Sequence, residues 1–95
     1  MRIPKEFQLM GHTIKIRYDR DEWLDELEAI GKWDHEKNEI WIHTKTEGTY
    51  REQTFLHEVR HAILYLLAYL KLHGDEKFVD QDAQLWHQFL TSQKY

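Results

Sequence analysis

The chain has no cysteine, one proline, four glycines and no excess of positive charge. Without thiols it can form neither disulfides nor thiolate metal sites, which fits a reducing compartment. Seventeen acidic residues against thirteen basic ones give a formal charge of −4. No nucleic-acid partner is expected, because that balance offers no footprint for phosphates. The longest apolar run, "AILYLLAYL", is far too short to span a bilayer. No apolar run follows the charged start, so neither a signal peptide nor a membrane association is expected. Repeats, low-complexity segments and linkers are also missing. The expectation is a single domain over residues 1–95, located in the cytoplasm.

What is present is 41% apolar and 32% charged, with seven histidines, many for a chain of this size. "KEFQLM" and "HTIKIRY" alternate apolar with polar residues, and Met10-Gly11 between them predicts a tight hairpin. "DRDEWLDELEAIG" sets Trp23, Leu24, Leu27 and Ile30 at helical spacing. "KWDHEKNEIWIHT" reads as a second hairpin, turning near Glu36 to Asn38 and ending on a strand from Glu39 to His43. Trp23 and Trp33 read as core residues. The second half is helical. Thr49 with Glu52 has the spacing of a capping box, and Phe55, Val59, Ala62, Ile63, Leu66 and Leu67 follow at helical spacing. That helix is expected to end between Ala68 and Gly74. Asp75 can cap a second helix whose buried stripe would be Phe78, Val79, Ala83, Trp86, Phe89 and Leu90. Strands first and a helix pair after predict an α+β domain.

Within the first long helix stands "HEVRH", His57 to His61. Residues four apart share a helix face, so both imidazoles can serve one metal ion, and zinc suits two imidazoles with a carboxylate. Glu58, turned about 100° from His57, cannot easily join the ligands but can take a proton from a metal-activated water. For the third ligand the residues themselves leave His73, Asp75, Glu76, Asp80 and His87 open. Arg60, inside the motif, is expected to face solvent. Tyr65 and Tyr69 are candidates for polarising a substrate carbonyl. On the last strand Trp41 and His43 would share one face, as a substrate rim.

"HEVRH" followed by "DEKFVD" resembles the gluzincin arrangement, His-Glu-x-x-His and then Glu-x-x-x-Asp on the next helix. The whole chain is similar to small phage-encoded zincin-like metallopeptidases. The resemblance implies a minimal zincin fold, with a small antiparallel or mixed sheet packed on an active-site helix and a second C-terminal helix. It implies one Zn²⁺ per chain held by His57, His61 and Glu76. Glu58 would be the general base and Asp80 a hydrogen-bond partner of a ligating histidine. The substrate would be a protein or peptide, and the compartment the cytoplasm of a bacterial host. The gap from His61 to Glu76 is shorter than in large gluzincins and closer to that of SprT-type proteases, whose third ligand is a histidine; "HGDEKF" then nominates His73. Two rivals stand beside this reading. One is a catalytically silent zincin-like domain using zinc for stability or partner binding, and the other is a peptidase that cuts a transcriptional repressor. The choice of third ligand turns on one structural fact. If the first helix ran straight to Leu72, Glu76 would lie well over about 10 Å along the axis from His61, and His87 would face His61 instead. Glu76 requires the helix to stop or bend near Ala68.

Overall fold

The structure, a computed structural model, describes residues 1–19 and 29–95. The helix expected around Trp23, Leu24 and Leu27, and the core role expected of Trp23, lie outside those residues. The fold is α+β, a four-stranded mixed sheet followed by helices. Strands β1 (Glu6–Leu9) and β2 (His12–Asp19) form the first hairpin, with Leu9 opposite His12. Met10 and Gly11 turn it with φ of 49° and 80°, the two positive values that match the twist of the flanking strands. The second hairpin joins β3 (Gly31–Asp34) to β4 (Glu39–His43). Asp34 Oδ1 accepts the amides of Glu36 and Lys37, a turn built on an aspartate side chain. The sheet order is β1-β2-β4-β3, with β4 parallel to β2 and antiparallel to β3.

Alternation in β2 and β4 sends Ile14, Ile16, Ile40 and Ile42 to one face. There they meet Phe55, Leu56 and Ala62 of helix α1 (Gly48–Leu66), with Trp33 completing the layer. Ile14, Ile40 and Ile42 are fully buried, each worth about 1.5–3 kcal/mol over an exposed side chain. Val59, expected in the apolar stripe, packs at the margin of this core. Buried positions of α1 also include polar Thr54, Glu58 and His61.

The expected capping box does not form. The residue before α1 is Glu47, without a side-chain cap, and Thr49 lies within the helix. Glu52 instead sends one carboxylate oxygen to His87 Nε2 at 2.8 Å and the other to the N-terminal ammonium at 3.3 Å. Arg51 ties down the helix start, donating to Thr44 O at 3.1 Å and to Thr46 Oγ1 at 3.2 Å.

The end of α1 is sharp. Ala68 takes φ +62°, the amide of Tyr69 donates to Leu64 O and that of Ala68 to Tyr65 O. This is the Schellman termination, with alanine in the left-handed position usually held by glycine. A single turn, α2 (Leu70–His73), follows. Asp75 then caps α3 (Glu76–Thr91) as expected, its Oδ1 accepting the Phe78 amide at 3.1 Å. The buried stripe of α3 is narrower than expected: Val79, Ala83 and His87. Phe78, Trp86, Phe89 and Leu90 are exposed, because the small side chains at 79 and 83 bring α3 against α1 along that line. Among the described residues no helix is long and apolar enough to cross a membrane.

Candidate metal centre

His57 and His61 sit one turn apart on α1, their Nε2 atoms 3.2 Å from one another. The chain reversal after Leu66 returns Glu76, the first residue of α3, to the same point. Glu76 Oε2 lies 3.0 Å from His57 Nε2 and Oε1 lies 3.0 Å from His61 Nε2. Among the described residues this is the group of three or more histidine and acidic side chains able to hold an ion. Tetrahedral zinc with bonds of about 2.0–2.1 Å sets its ligand atoms roughly 3.3 Å apart. The two imidazole nitrogens, 3.2 Å apart and each 3.0 Å from a different oxygen of Glu76, lie near that spacing and match zinc in donor chemistry.

Protonation of His61 is disfavoured. Burial pushes its pKa below the usual value, with the His57 and His73 charges adding to that, while the Glu76 carboxylate opposes. A neutral imidazole is the form a metal requires. The other nitrogen of His61, Nδ1, lies 3.2 Å from His73 Nδ1, which is also 3.1 Å from His61 O. His73 thus stands behind His61 as a partner for its outer nitrogen, not in the ligand set. His87 is likewise elsewhere, buried against Glu52. Asp80 Oδ1 approaches His57 Nδ1 to 3.6 Å, which is ion-pair distance and longer than a hydrogen bond.

Glu58 lies against β3, beside Gly31 and the Trp33 amide. It is 7% exposed, and burial raises its pKa to about 8, helped by the Glu76 charge; the Trp33 backbone amide donates to it and works the other way. Gly31 makes that approach possible. A Cβ there would lie 2.8 Å from Thr54 Cγ2 and 3.2 Å from Glu58 Cγ. The sequence reading missed Gly31 and the Trp33 amide. The available signal was a lone glycine at the mouth of a strand, which often marks close backbone approach.

A cavity of about 660 Å³ opens over this group. Ala29 to Trp33 form one wall, α1 from Tyr50 to His61 the other, and His73 to Asp80 one end. Trp41 and His43 do not line it. They lie on β4, which is paired on both sides, whereas Gly31, Lys32 and Trp33 of the outer strand β3 line the cavity. Tyr65 and Tyr69 also lie off the lining; the Tyr65 hydroxyl contacts His35 Nδ1 at 3.1 Å, and Tyr69 is exposed. Arg60, expected in solvent, is paired with Asp82 on α3 and sits over the Trp86 ring. No protein-family model, curated protein or solved structure matches the chain.

Proposed function

We propose that the protein is a zinc-dependent metallopeptidase of the gluzincin type, with one ion held by His57, His61 and Glu76. The observation that carries this is the convergence of two Nε2 atoms and one carboxylate beside a buried glutamate, at the wall of an open cleft. When bound, the ion supplies a Lewis acid and acidifies water. Glu58 takes a proton from water in the cleft as the water oxygen bonds the scissile carbonyl carbon. It passes that proton to the leaving amine as the C–N bond breaks. In the metal-free chain burial raises that carboxyl to about 8, and the positive charge of a bound ion would favour the carboxylate that the first half of the task needs. β3 is an outer strand of the described sheet and lines the cleft, a place where an extended peptide can add as a further strand. The substrate is accordingly a protein or peptide, and the compartment is the cytoplasm of a bacterial host.

The catalytically silent alternative has one observation in its favour. The ligand set joins α1 to α3, so an ion would cross-link two helices of a small core whatever its chemistry. Glu58→Gln separates the two readings. Zinc content and the melting temperature of the zinc-loaded protein stay near wild type in both. Loss of hydrolysis of an unfolded protein substrate supports the enzyme. Wild-type protein loaded with one equivalent of zinc that cuts no such substrate supports the silent domain.

A further inference from the structure

One short stretch of chain meets His61 at both ring nitrogens. Its Nε2 faces Glu76 Oε1 at 3.0 Å, and its Nδ1 faces His73 Nδ1 at 3.2 Å. His73 ends the single turn α2 and stands three residues before Glu76. Its ring is packed from the far side as well. The Tyr65 ring lies 5.7 Å from it. Tyr65 in turn stacks on His35 at 4.8 Å, and its hydroxyl lies 3.1 Å from His35 Nδ1. The Nδ1 of His73 has two neighbours and can serve one at a time. His61 O, 3.1 Å away, only accepts, so that bond requires a proton on His73 Nδ1. The bond to His61 Nδ1 runs in either direction, according to which ring carries the proton there.

We propose that His73 is a positioning residue of the metal centre, acting through His61. A ligating His61 gives the lone pair of Nε2 to the ion, so its neutral ring carries its proton on Nδ1. That N–H donates to His73 Nδ1, which must then be bare. His73 accordingly holds its own proton on Nε2 and gives up the bond to His61 O. The contact fixes both the His61 ring and the tautomer that binds the ion. Ligating histidines commonly donate their outer N–H to a carboxylate, a backbone carbonyl or water. His57 has a carboxylate, Asp80, on its outer side. His61 is the more buried of the two rings, and a carboxylate behind it would add a buried charge. An accepting imidazole orients the ring without adding one. The inference rests on the metal site proposed above and not on hydrolysis.

Long-range proton–nitrogen NMR of the zinc-loaded, nitrogen-labelled wild type reads the tautomers directly, whether or not any variant folds. Expected are a metal-bound Nε2 and a protonated Nδ1 on His61, with a bare Nδ1 and a protonated Nε2 on His73. His73→Phe keeps a ring against Tyr65 and removes the acceptor. It should weaken zinc binding about 10–100-fold in competition with a chelator. His73→Asn should recover most of that affinity, because its Oδ1 takes the place of the imidazole Nδ1 and accepts. A proton on His73 Nδ1 in the loaded chain, a His73 nitrogen bound to the ion, wild-type zinc affinity in folded His73→Phe, or His73→Asn no tighter than His73→Phe would each overturn the proposal. So would a wild-type chain that binds no zinc. Loaded protein with the expected tautomers that cuts no substrate would support it and overturn the peptidase reading alone.

Discussion

The two long helices are amphipathic in opposite senses. α1 is covered by the sheet on one side and α3 on another, and it buries polar groups, Thr54, Glu58 and His61. α3 buries only Val79, Ala83 and His87, reaches α1 also through Glu76 and Asp82, and leaves its largest apolar side chains outside. Burying a carboxyl costs free energy unless it is hydrogen-bonded or paired, and exposing an aromatic pair forgoes the gain of burial. Each helix therefore departs from the usual partition, α1 by burying polar groups and α3 by exposing apolar ones. At the N-terminus of α3, Glu76 reaches the histidines of α1.

Removing that meeting point should have the largest effect. His61→Ala deletes the most buried ligand. Zinc affinity, measured by competition with a chromogenic chelator, should fall by more than about 100-fold, beyond what loss of a supporting partner costs, and hydrolysis should vanish. His87→Ala, off the ligand set, should leave zinc affinity unchanged. Equal losses from both substitutions would show that the metal site is not the one described.

Glu58→Gln tests the buried acid itself, with two opposite outcomes. Hydrolysis by the zinc-loaded protein should drop by about 10²–10⁴. The metal-free protein should gain stability at alkaline pH. The folded-state pKa of about 8 lies above the ordinary 4.5, so between those values the unfolded chain is ionised and the folded one is not. The wild type therefore loses stability as pH rises through that window, by up to about 4 kcal/mol. Denaturant melts of the metal-free proteins at pH 5 and pH 8 should show this slope in the wild type, and Glu58→Gln should flatten it. A variant with the wild-type slope would mean that Glu58 ionises freely.

Gly31→Ala presses on the same acid from β3. The added Cβ meets Thr54 and Glu58, so a stability loss of about 1–3 kcal/mol is expected. A displacement of Glu58 by even part of an ångström should cost about tenfold or more in kcat/KM, with zinc content unchanged. Thr54→Ser in that background removes the closer clash. It should return much of the stability and little of the activity; full recovery of both would assign Gly31 to packing alone.

How much of this was legible in the sequence differs between the helices for a physical reason. His57, Glu58 and His61 were readable because helix periodicity alone fixes their relative directions. Both hairpins were readable from local turn chemistry at Met10-Gly11 and around Asn38. Glu76 was readable only conditionally, since its reach depends on a left-handed Ala68 that no glycine announces. Trp41 and His43 stand off the cavity because the placement of β4 between β2 and β3 is a matter of topology, and the strand preceding the helix in sequence is not the one at the cleft. The apolar stripe of α3 was overread because periodicity counts apolar residues and does not know how much neighbouring surface exists to cover them.

The smallest expected effect separates motif from contact most cleanly. Thr49 and Asp75 both stand at helix starts with capping chemistry, and only Asp75 makes the bond. Asp75→Ala should cost about 1 kcal/mol. Because Glu76 is the next residue, it should also weaken zinc binding slightly by loosening the first turn of α3. Thr49→Ala should stay within about 0.5 kcal/mol, since Glu52 is held by His87 and the N-terminus and the helix start is tied down by Arg51. Chemical denaturation of the zinc-free and zinc-loaded forms resolves both. A loss at Thr49 as large as at Asp75 would mean that the capping box forms in solution, and the anchoring of α1 would have to be reassigned from Arg51 to the Thr49–Glu52 pair.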